Sequence, residues 1–403
     1  MRRFDAAVIG GGVLGCFAAR NLRRWNIDTA LIEMAEDVCT GITRANSAIV
    51  YPGYDNRPGS LKAQMTVVGN RSYGELCDEL EVPFSRCGSL LVTYDPASVP
   101  RLERKLRHGA QNGVPGLRML SGREAEELEP MLSPGVAAAL YAPTTGTVNP
   151  WQLGIAAYEN AVENGAAAML NTQVTDIREG EGGYIIETSG ETVFCKAVLN
   201  CGGLYADRVQ SLIYPSPVSL RLDGADYLVL DPLAEKPARV IFHQAKSCGK
   251  GITAIPCVEG NLLISGVRRP LGSPFATTSE GLRELHGAAR ELLPSVELDK
   301  VIRSFGAVRP NPQMDTGESL HDFCIENPAP GFYSLIGIKT PGLTCANQLG
   351  MYLAGKTADY LGAESNPTFH PSRRAIAKGD GEVICQCEQV TRGEISQAIR
   401  RGA

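Results

Sequence analysis

The sequence predicts an α/β protein: a Rossmann-type dinucleotide-binding unit assembled from separated stretches, joined to a second, strand-rich α+β unit. Three observations carry this. Residues 4–33 read as an apolar run, a glycine cluster, a helical stretch and a second apolar run ending in a carboxylate. Two later apolar runs also end in glycines, near residues 202 and 342. Between these, residues 210–330 are strand-rich and hold one long helical pattern near 279–293.

The opening stretch places Gly10, Gly12 and Gly15 in the G-x-G-x-x-G spacing, between an expected strand and an expected helix over 13–25. Gly10 allows the tight turn, Gly12 the approach of a pyrophosphate, and Gly15 close packing of helix on strand. Glu33, eighteen residues after Gly15, is spaced to accept ribose hydroxyls. Residues 40–54 follow, small and hydroxylated, then β-branched, then stopped by Pro52-Gly53. Such a loop either brings amides to a second phosphate or ring, or is a surface connection.

A helix is expected over 61–80, a strand over 87–93 and a basic surface helix over 100–112. Ser121 and Glu124 form a capping box. Asn149-Pro150 starts a helix that stops at Gly165. Strands over 173–177, 183–188 and 191–195 read as a small meander, followed by a separate buried strand over 197–203. Residues 332–344 give a strand, a Pro-Gly turn and a helix through 361. The expected dinucleotide unit is thus discontinuous, over 1–80, 145–208 and 330–363. Residues 81–144 and 209–329 form the second unit, and 364–380 read as a linker.

Composition narrows the function classes. Apolar residues are 43% and charged residues 21%, an ordinary globular mixture. The net charge of −5, without a block of like charge, argues against nucleic acid. No apolar run is long enough for a membrane span. The first strand begins almost at Met1, so no signal peptide is expected. Twelve scattered cysteines point to a reducing cytoplasm, with any membrane association made through partners.

The order of motifs resembles the D-amino-acid-oxidase-type superfamily of FAD oxidoreductases. The stretches 46–50, 59–63, 87–90 and 337–344 are similar to anaerobic-type glycerol-3-phosphate dehydrogenase large subunits and to L-2-hydroxyglutarate dehydrogenases. The resemblance implies FAD as cofactor. Gly10, Gly12, Val13 and Leu14 would line its pyrophosphate and Glu33 its ribose. Thr43, Asn46 and Ser47 would approach the flavin, Val174 the adenine, and Cys201 and Gly202 the dinucleotide. Gly342, Leu343 and Thr344 would sit at the isoalloxazine O2 end. Arg309 would clamp a carboxylate or phosphate, and Lys339 would assist with charge on the substrate or ring. Tyr51 stands where many relatives carry histidine, and would orient the substrate or take its hydroxyl proton. His243 is the one histidine placed in the expected substrate layer. The implied reaction is hydride removal from a small anionic hydroxy substrate, glycerol 3-phosphate first, then L-2-hydroxyglutarate or an amino or imino acid. Electrons would pass to a partner subunit. A second class of reading is a flavin electron-relay subunit.

Residues 383–395 resemble the opening of the bacterioferritin-associated-ferredoxin-like [2Fe–2S] domain. There Cys385 and Cys387 would be half of a four-thiolate set. The later C-x-x-C pair is absent, so a cluster is expected only with ligands supplied from elsewhere.

Overall fold

The computed structural model describes residues 1–244, 250–373, 381–385 and 390–400. Its first strand, Arg2–Ile9, is buried from Ala6 onward because it runs through the middle of a parallel sheet. Across that sheet the parallel order is Phe332–Ile336, Val193–Asn200, Arg2–Ile9, Thr29–Ile32 and Ala167–Met169. One face carries the helices Val13–Leu22, Pro150–Glu163 and Gly342–Leu361, packed through Phe17, Leu22, Leu153, Leu349 and Leu353. The other face packs Ala7, Ile9, Tyr184 and Phe332. Asn149 caps its helix by accepting from the Trp151 and Gln152 amides, with Pro150 in the first turn, as expected.

The strands expected over 191–195 and 197–203 are one strand, Val193–Asn200. The charge that interrupts its apolar run, Lys196, is exposed and reaches Asp5 on the neighbouring strand at 2.8 Å. The backbone therefore continues. One edge pairs with Arg2–Ile9 throughout, and the other changes partner. Residues 193–195 run antiparallel to Gly183–Thr188, and residues 198–200 run parallel to Phe332–Ile336. The strand Cys324–Ala329 also differs from expectation. It folds back on Phe332–Ile336 in the first sheet, through a turn at Gly331 with φ +78.

The second sheet has the order Val301–Gln313, Ser219–Leu230, Leu262–Pro270, Lys250–Pro256, Val240–Gln244, Ser89–Thr93, Ala138–Ala142 and Arg118–Ser121. Val301–Gln313 is an edge strand, so Pro310 and Pro312 interrupt no second ladder. The helix Ser279–Leu292 covers one face through Leu285, Ala289 and Leu292. The opposite face, bearing Phe242, Leu91 and Phe305, meets Tyr51 from the first unit. Ile49–Val50, Gly146–Val148 and Phe84–Ser85 form a small separate antiparallel sheet.

Of the stretch expected as a linker, residues 364–373 are fastened to the end of the first helix. Asn26 N donates to Glu364 O, Asn366 N donates to Arg24 O, and the buried Arg20 reaches Pro371 O at 2.8 Å. Residues 374–380 lie outside the described residues. In the tail, Val383–Cys385 pairs with Val390–Thr391 ahead of the helix Arg392–Arg400. Cys387 and the Cys385 side chain lie outside the described residues, among which no His/Cys/Asp/Glu group could hold a metal.

Candidate active site

The glycine loop is a surface made of backbone. Gly10 has φ +102, a conformation that side chains resist, and a methyl there would stand 2.6 Å from Cys201 O. A methyl at Gly15 would run into the Gly10 carbonyl. Strand, turn and helix can meet this closely only without Cβ atoms. Gly12 begins the helix with no side chain of its own to cap it, which puts the positive end of the helix dipole beside Val13 and Leu14. Val13 N donates to Thr43 Oγ1 at 3.0 Å, which ties the 40–54 loop to this helix.

Glu33 is held by the same loop. Its carboxylate accepts from Gly11 N at 2.5 Å and from Ala35 N at 2.8 Å. Glu33 O accepts from Thr172 N, and Val174, two residues along, opens the strand Val174–Gly180. Cys201 N donates to Ile9 O, bringing the second glycine-marked end beside the first. Burial pushes the Cys201 thiol up to about 12, so it is an inert spacer rather than a nucleophile. Gly202 N is taken by Asn200 Oδ1.

The third glycine-marked end is the helix Gly342–Leu361. Its N-cap is Pro341, with no side-chain cap. Gly342 N donates to Lys339 O, Leu343 O accepts from the Tyr73 hydroxyl, and Thr344 Oγ1 accepts from Tyr51 N at 2.9 Å. The last bond joins the 40–54 loop to the C-terminal helix. Asn46 turns that loop through its own side chain, accepting from Ala48 N and donating to Thr43 O. Ser47 lies half-buried within this turn, before Ala48 at φ +56.

Side chains from the second sheet converge on Lys339. Arg309 donates to Thr340 Oγ1 at 3.0 Å, while its Nε is buried with no partner among the described residues. Burial first, then Arg268, pull its guanidinium down to about 10, so it remains a cation at neutral pH. Lys339 donates to Asn311 Oδ1 at 3.2 Å. Burial, then Arg309, Lys62 and Arg268, lower its ammonium to about 8. Lys62 is lowered by burial and held at 2.9 Å from His321 O. Tyr227, raised by burial, stacks on Phe305 with ring centroids 4.7 Å apart. Tyr51 lies 6.0 Å from the Phe242 ring.

Arg268, Lys62, Tyr227 and Asp223 escaped the sequence reading. Arg268 is adjacent to Arg269, and nothing in the sequence separates them. The sheet does: Arg269 makes a nearly buried pair with Asp226 at 2.7 Å, while Arg268 bears on Arg309 and Lys339. His243, placed in the substrate layer by sequence, follows Phe242 on the same strand. With Phe242 against Tyr51, His243 points to the other face, where its ring meets Tyr94.

A Cβ-free loop that runs into a helix N-terminus is a surface suited to the pyrophosphate of a dinucleotide, which makes this a dinucleotide-binding fold. Residues 5–356 match the FAD dependent oxidoreductase (DAO) family, and the chain belongs to it. It is 38% identical to a glycerol 3-phosphate dehydrogenase of Caloramator mitchellensis over 421 aligned residues, covering 99% of this chain and 86% of that one. To the mitochondrial L-2-hydroxyglutarate dehydrogenase of Bos taurus it is 32% identical over 309 residues, covering 72% and 65%. The fold matches the L-alpha-glycerophosphate oxidase of Mycoplasma pneumoniae with FAD bound, at a TM-score of 0.84 and 24% identity, over 92% of this chain and 98% of that one. FAD is the cofactor. The Cβ-free cradle at Gly10 and Gly15 and the helix start at Gly12 suit its pyrophosphate.

Proposed function

We propose that the protein oxidises a small anionic hydroxy compound, with glycerol 3-phosphate as its substrate. One observation carries this: Arg309, Arg268, Lys62 and Lys339 act on one another at a single half-buried site. Cations are brought together at such electrostatic cost where an anion is to be bound. Identity of 38% to a glycerol 3-phosphate dehydrogenase supports the choice of substrate.

In this reading Gly10, Gly12, Val13 and Leu14 hold the FAD pyrophosphate, and Glu33 takes the ribose. Val174, Cys201 and Gly202 line the adenosine side. Thr43, Asn46, Ser47, Gly342, Leu343 and Thr344 shape the flavin side. Bound FAD supplies the hydride acceptor. Arg309 and Arg268 fix the phosphate, and Arg309's planar fork suits it bidentately. Tyr51 orients the substrate hydroxyl. Lys339 takes the hydroxyl proton as a neutral amine, because a group near 8 is matched to base work close to neutral pH. Electrons leave to a partner protein. Cys385 and Cys387 join a cluster only if that partner supplies the other ligands.

The 32% identity to a mitochondrial L-2-hydroxyglutarate dehydrogenase supports a second substrate for the same site. Anaerobic addition of each compound to the holoprotein tests the choice. Loss of the flavin absorption band with glycerol 3-phosphate is the expected result. A band that persists with it but disappears with L-2-hydroxyglutarate transfers the assignment to the second compound.

A further inference from the structure

Among four cations the site holds one carboxylate that bears on both Arg309 and Lys339, that of Asp223. It stands directly opposite Arg309 across the ladder between Ser219–Leu230 and Val301–Gln313. Ala225, two residues on and therefore on the same face, stands opposite Arg268 in the next strand. Asp223 thus lies between the two arginines. Its side chain is 19% exposed. Asn311, which is buried, fixes it by donating from Nδ2 to Asp223 Oδ2 at 2.9 Å. The same amide accepts from Lys339 through Oδ1 and donates to Arg221 O at 3.2 Å, so it cannot flip without losing all three bonds. The Arg221 guanidinium lies on the Oδ2 side, at 3.6 Å. Asp223 Oδ1 accepts no hydrogen bond among the described residues.

A carboxylate here opposes anion binding, while Arg221 and Asn311 approach it at Oδ2. We infer that Asp223 determines specificity, accepting a hydroxyl of a polyol phosphate through Oδ1 and repelling the second carboxylate of a dicarboxylate. This rests on the proposed oxidation of a small anionic hydroxy compound. It adds the reason why one such compound is taken over another: a polyol phosphate has a donor to offer this oxygen, whereas a hydroxydicarboxylate presents a like charge.

The test compares kcat/KM for glycerol 3-phosphate and for L-2-hydroxyglutarate, at one pH, in wild type and Asp223→Asn. Flavin content is checked in both proteins. The variant keeps the shape of the side chain and removes its charge. Expected is a loss of about tenfold or more with the polyol phosphate, the worth of one hydrogen bond to a charged group. The dicarboxylate is expected to be unchanged or improved. An improvement cannot arise from a damaged fold. Both substrates falling by the same factor, or neither moving, overturns the inference. Asp223→Ser provides the same ratio if the asparagine variant loses flavin. A wild type that turns over neither compound ends the proposed function first, and this inference with it.

Discussion

At Gly10–Gly15 the recognition surface is the main chain, whereas around Arg309 it consists of side chains from distant segments. The first surface lies within six consecutive residues and depends on missing Cβ atoms. The second gathers Lys62, Asp223, Arg268, Arg309 and Lys339 across 278 positions of chain, from Lys62 to Lys339. At Gly10 and Gly15 this geometry tolerates almost no substitution, because a Cβ there collides with backbone carbonyls. Side-chain geometry can be retuned one residue at a time. The contrast fits a division in which the cofactor end is shared by many enzymes and the substrate end distinguishes them.

The comparison predicts a graded set of effects. The largest falls on the main-chain surface. Gly15→Ala drives a methyl into the Gly10 carbonyl, so the purified variant should retain little flavin and lose on the order of 3 kcal/mol of stability. Flavin absorbance and thermal melting measure both. An alanine variant with full flavin content would remove the close-packing argument.

On the side-chain surface, Arg309→Ala should keep its flavin and lose about a hundredfold in kcat/KM, since one partner of a charged, desolvated contact is removed. Arg309→Lys should recover only part of this, because a point charge cannot reproduce the fork. Equal loss of flavin in both variants would erase the distinction between the two surfaces.

Lys339 gives a pH dependence of intermediate size. Its ammonium is lowered to about 8 by burial and by Arg309, Lys62 and Arg268, against Asp223. The neutral amine is therefore scarce below that value and abundant above it. As a base, it makes kcat/KM rise about tenfold from one pH unit below 8 to the plateau above. Lys339→Met should flatten this limb. A wild-type profile that falls through 8 would make Lys339 a binding cation instead. The smallest effect belongs to Thr43→Val, which leaves Val13 N without its 3.0 Å acceptor and should cost about 1 kcal/mol in thermal unfolding.

Much of the molecule could be read without coordinates. The capping box at Ser121 and the Asn149-Pro150 start both occur as expected. Each depends on residues within a few positions of one another. At two places a local signal is overruled from a distance. Lys196 looked like a break in a strand, yet Asp5 and two neighbouring strands carry the backbone through it. Cys324–Ala329 has strand composition, and nothing in it says which sheet it will join.

The chain alone was sufficient to specify an α/β dinucleotide unit and its three glycine-marked ends, while Arg309 as a candidate clamp was implied by resemblance to a known family. Those signals are backbone requirements or short motifs, written in adjacent residues. Which of Arg268 and Arg269 faces the site, which way His243 points, and how Asn311 links Lys339 to Asp223 were settled by register between strands far apart in sequence. Shifting a strand by one position exchanges its two faces, and that register is set by the packed sheet rather than by any local pattern.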